Sequence, residues 1–100
     1  MTVVVKDPQG MLYKADIDNT LSALQEIVGG YIEVITVNDH LVMIVNEEGK
    51  LLGLEPSFAY GDDILVGPVV FAGYDGEEFR GLTQREAAEA YLIVNGGLIV

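Results

Sequence analysis

The chain is 100 residues long, about one domain, and half of it is hydrophobic; sixteen acids against five bases give a formal net charge of −11. That balance argues against a protein that grips nucleic acid by its phosphates or lies on an anionic membrane, because both need a basic surface. With no cysteine there is no disulfide or thiolate chemistry, and no apolar run approaches the roughly 20 residues of a membrane span.

Taken in order, Thr2 to Val5 is a short β-branched run. Asp7-Pro8-Gln9-Gly10 has turn chemistry, and Met11 to Ile17 alternates apolar and polar residues, so the three together predict a β-hairpin. Asp18-Asn19-Thr20 offers N-cap oxygens to a helix whose apolar positions are Leu21, Leu24, Ile27 and Val28 and whose end is Gly29-Gly30. Tyr31 to Val37 reads as a strand and Asn38-Asp39-His40 as its turn. Leu41 to Val45 is apolar at every position, the pattern of a central strand covered on both faces. Asn46-Glu47-Glu48-Gly49-Lys50 predicts a turn with Gly49 in the left-handed conformation. Glu55 to Asp63 follows no period. Ile64 to Ala72 reads as one strand interrupted at Gly67-Pro68, where proline predicts a bulge or an edge. Tyr74 to Glu78 is a turn. Thr83-Gln84-Arg85-Glu86 has capping-box spacing and starts a second helix, which Asn95-Gly96-Gly97 ends. The apolar tail Leu98-Ile99-Val100 reads either as an edge strand of its own sheet or as a strand docked on a second subunit.

These elements predict a single α+β domain over residues 1–100. Its sheet, mixed or antiparallel, is built from β-hairpins with two helices in a ββαβββα-like order, with an extra C-terminal strand if the tail stays on its own sheet. The start of the chain lacks the basic residues and long apolar centre of a secretory leader, so the expected compartment is the cytoplasm.

Catalytic signals are sparse. His40 is the one histidine, sits in a turn, and has no evident orienting partner in sequence beyond Asp39. The doubled acids Glu47-Glu48 and Asp62-Asp63 point to opposite faces if extended and make poor shared metal or acid–base sites. No glycine-rich phosphate loop is present. A binding protein is therefore expected, without enzyme activity, metal or cofactor. An anion could sit at the start of the second helix, near Thr83 with Arg80 close by. Tyr60 and Tyr74, in or beside irregular segments, are candidates to stack on a base, whereas Phe58 is expected to plug the core.

One order of segments resembles a known family. Leu24-Gln25-Glu26-Ile27-Val28-Gly29-Gly30-Tyr31-Ile32-Glu33-Val34 is followed by Val45-Asn46-Glu47-Glu48-Gly49-Lys50-Leu51, then Asp63 to Val70 and Leu82-Thr83. This is similar to a family of small proteins from phages, plasmids and Gram-positive bacteria catalogued as a domain of unknown function. The resemblance implies an α+β domain, a mobile-element setting and no established activity; Asn46 and Lys50, in its most specific turn, become binding candidates. The expected function is then a phage counter-defence protein, in the host cytoplasm, that sequesters a nucleotide immune signal as a homo-oligomer. Its ligand residues would be Asn46, Lys50, Tyr60, Tyr74, Arg80 and Thr83, with Leu98, Ile99 and Val100 at the subunit contact. The alternative is an acidic DNA mimic or protein-binding inhibitor of a host defence enzyme.

Overall fold

The structure, a computed structural model, describes residues 1–96; the Leu98-Ile99-Val100 tail, with the strand and subunit contact expected there, lies outside the described residues. Strands β1 (Thr2–Lys6) and β2 (Leu12–Asp16) form the first hairpin. Helix α1 (Leu21–Val28) follows, then the hairpin of β3 (Ile32–Thr36) and β4 (Leu41–Asn46). Next come β5 (Pro56–Tyr60), β6 (Asp63–Val66), β7 (Val69–Tyr74), β8 (Phe79–Arg80) and helix α2 (Gln84–Val94). The main sheet runs β2-β1-β7-β4-β3, with every neighbouring pair antiparallel. Gly73 pairs with Leu41 on one flank and Arg80 on the other, so β8 lies on β1's flank of β7. β5 and β6 form a separate two-stranded sheet.

Both faces of the sheet are covered. Val3, Val5, Val42, Ile44, Val70 and Ala72 pack with Leu24 and Val28 of α1. On the opposite face Val4, Leu41, Met43, Val45, Val69 and Phe71 pack with Ala87, Ala90 and Ile93 of α2 and with Leu65 of the small hairpin. This two-sided cover is why β4 has no polar alternation: all six of its residues are buried. Each fully buried aliphatic side chain contributes on the order of 1.5–3 kcal/mol of transfer free energy.

The local signals hold at both helices. Thr20 accepts a hydrogen bond from Ala23 N at 3.1 Å, and Gly29, at φ 81°, closes α1 in the left-handed conformation. Thr83 Oγ1 accepts from Glu86 N at 3.1 Å while Glu86 Oε1 accepts from Thr83 N at 2.9 Å, completing the capping box of α2.

Two expectations are corrected between Glu55 and Ala72. The irregular stretch contains β5, turned into β6 by Gly61-Asp62. The apparent single strand from Ile64 is two strands in two different sheets. Gly67-Pro68 is thus the crossover between them and not a bulge. Gly67 has φ 72°, and a Cβ there would meet Leu54 Cδ1 at 2.8 Å.

Candidate functional site

Two clefts flank the Asn46–Lys50 turn at one end of the molecule. The first, about 260 Å³, has a floor of Ile35, Val45, Leu65 and Val66, and its rim carries Glu33, Glu47, Glu48, Lys50 and Asp63. The second, about 470 Å³, lies between the C-terminal end of α1 and the turn, with Gln25, Glu26, Gly30, Tyr31, Glu48 and Leu52 among its walls. Tyr31, Leu51 and Leu52 are exposed large hydrophobics here, Leu51 to 83%. The surface at this end is therefore apolar side chains set among carboxylates.

Asn46 builds the wall between the clefts. Its side chain is buried; Nδ2 donates to Val28 O at the end of α1 (3.1 Å), and Oδ1 accepts from Glu48 N (2.8 Å). The second bond is an Asx turn, which is what asparagine offers a chain leaving a strand. Asp7, Asn38 and Asp75 start their turns the same way. Gly30 lets the asparagine in: a Cβ there would lie 3.0 Å from Asn46 Nδ2. Gly49 is not left-handed, contrary to expectation. It is buried, and a Cβ would lie 2.9 Å from Val66 Cγ2, so glycine is needed for close approach to β6. Lys50 reaches across the first cleft's mouth and pairs with Asp63. That hydrogen bond, with a second from Ile64 N, holds the exposed Asp63 carboxyl below the usual carboxylate range.

The other candidates lie elsewhere and in different surroundings. Tyr60 packs against the α2-side core and Tyr74 against the α1-side core. Tyr74 also meets Phe79 with ring centroids 6.1 Å apart and lines a separate shallow pocket beside Asn19, Glu77 and Glu78. Phe58 plugs the core as expected, stacked on Phe71 at 6.0 Å. Arg80 and Thr83 do come together, but on Glu86. Arg80 donates from Nη1 to Oε1 (2.7 Å) and from Nη2 to Oε2 (2.8 Å), and Thr83 shares the capping box with the same side chain. The position an anion would take at the start of α2 is filled by the protein's own carboxylate. The Arg80 hydrogen bond first, and the Thr83 N–H after it, hold Glu86 down to about 2. Its charge raises Arg80 in return.

His40, in the β3–β4 turn, has its Nε2 3.7 Å from Glu89 of α2, away from either cleft. Among the described residues no group of three or more histidine or acidic side chains is placed to hold a metal ion. No described helix is long and apolar enough to cross a membrane. The exposed Tyr31, Leu51 and Leu52 were missed in the sequence, because each looks like ordinary core material until the turn carries it outward.

No curated protein and no solved structure matches the chain. A family model does, over residues 1–93, and the chain belongs to that family, the domain of unknown function DUF3846.

Proposed function

We propose that the protein is a non-catalytic binding module whose partner is a protein presenting a basic surface. The observation that carries this reading is the state of the charges. Thirteen of the sixteen acids are exposed, while Lys50 and Arg80 are each paired with an acid of the same chain. Although Lys14 and Arg85 are also exposed, the acids outnumber them heavily, and the net excess of negative charge favours association with a cationic surface. The exposed Tyr31, Leu51 and Leu52 supply apolar contact area of the kind that anchors an interface. Inhibition of a host defence enzyme through its basic cleft is one setting for such a module.

The nucleotide-sequestration reading is favoured by one feature, the cleft with Lys50 at its mouth. It ranks second because Glu33, Glu47, Glu48 and Asp63 surround that lysine, and a phosphate would meet them as well. Titration calorimetry separates the two readings. The first predicts heat with an arginine-rich peptide, weakening steeply as salt rises, and none with a panel of cyclic and ADP-ribose-type nucleotides. Heat with a nucleotide and none with the cationic peptide would overturn it.

A further inference from the structure

The outer edge of β3 and the cleft beside it form one continuous surface. Tyr31 O accepts from Glu47 N (2.8 Å), and Val37 N donates to Leu41 O (3.0 Å). With the register Glu33↔Val45 and Ile35↔Met43, the odd-numbered residues of β3 face β4 with their N–H and C=O groups. Antiparallel alternation then turns the N–H and C=O of Ile32, Val34 and Thr36 outward. Among the described residues no strand pairs with that edge. Edges are ordinarily blunted by lysine, proline or a bulge. β2, at the other edge, has Lys14; β3 has no lysine, proline or bulge, carries the single charge of Glu33, and pairs with β4 in unbroken register. The side chains of Glu33 and Ile35 point to the α2 face and line the first cleft. A strand laid on β3 would therefore place alternate side chains over that cleft, with apolar Val45 and Leu65 beneath and Glu33, Glu47 and Glu48 at the rim.

We propose that the edge of β3 is a strand-addition site for an extended segment of a partner protein that carries arginine or lysine at every second position. Backbone hydrogen bonds to Ile32, Val34 and Thr36 would hold the segment, and the cleft would select it. A cationic side chain fits this cleft by its two parts: an aliphatic stem for the floor and a charged head for the carboxylate rim. A second copy of the chain fits less well, since each protomer would bring a net charge of −11 to the contact. The inference rests on the binding reading above and goes further by naming the edge, the cleft and the chemistry of the segment.

The test is amide hydrogen exchange followed by NMR, with and without a blocked seven-residue peptide that alternates arginine and valine. In the free protein the amides of Ile32, Val34 and Thr36 should exchange fast while those of Glu33 and Ile35 are protected. Saturating peptide should slow the three outward amides by roughly tenfold or more. Val34→Pro removes one outward N–H without touching the β4 ladder, and should weaken the peptide by about tenfold; so should N-methylation of the peptide. Peptide binding that leaves the three amides unprotected overturns the edge site but leaves the binding reading standing. Absence of binding to any cationic peptide overturns both. Protection of the three amides in the free protein, by a second copy or by any other segment, shows the edge already taken and overturns the site alone.

Discussion

Arg80, Glu86 and Gly73 act as a unit, and each makes a separate prediction. Glu86 is the one buried acid, and its carboxylate is tolerated because a guanidinium meets both oxygens. Its folded pKa of about 2 lies below the ordinary value of 4.5. A depressed carboxyl contributes stability that is present above pH 4.5 and lost as pH falls toward 2. Because the Arg80 side chain is 36% exposed, water screens the pair, and about 2 kcal/mol is a reasonable scale for the contribution. Chemical denaturation of the wild type and Glu86→Gln should show a stability gap at pH 6 that narrows progressively below pH 4.5; a gap independent of pH would contradict the assignment. Gly73 lies under the same guanidinium, and a Cβ there would come within 2.8 Å of Arg80 Cζ. Gly73→Ala should expel the arginine and strand Glu86. Its cost should match that of Arg80→Ala, and the double variant should be no worse than either alone.

At the scale of elements, the strands and helices whose own residues carry the signal were legible, and those defined by distant partners were not. β4 could be read as central because an all-apolar strand has no other stable place. Both helices could be read from caps, since a Thr or Gly at a helix end acts on its own neighbours. The β5–β6 hairpin could not be read, because its strands are short, carry a register shift near Pro56, and are held by packing on the α2-side core. Nor could Gly49, since its requirement comes from Val66, seventeen positions later. The candidate site was half legible. Asn46 and Lys50 do line one cleft, but Arg80 and Thr83 form a closed structural unit, and Tyr60 and Tyr74 pack on opposite faces of the sheet. Gly49→Ala should therefore cost about 1–3 kcal/mol by overpacking against β6. Asn46→Ala should cost about 1–3 kcal/mol by leaving the Val28 carbonyl and the Glu48 N–H without their partner. Thermal denaturation checks both, and variants as stable as the wild type would show that the turn is not braced as described.

The whole molecule carries its excess charge outward. Thirteen exposed acids repel one another, so added salt should raise the melting temperature even as it weakens binding to a cationic partner. Calorimetric scans from low to about 0.5 M salt would show the first effect, screening being nearly complete over a few ångströms at the upper end. The opposite signs matter, because a general loss of structure in salt would move both readouts the same way. The central claim, that this acidic end recognises a basic partner, is tested most directly by measuring the affinity of the arginine–valine peptide across a salt series. The wild type should be compared with a variant carrying Glu33→Gln, Glu47→Gln and Glu48→Gln. The account predicts tight binding at low salt that falls steeply with ionic strength, and a variant that binds weakly at every salt. An affinity indifferent to salt, or equal in the two proteins, would contradict it.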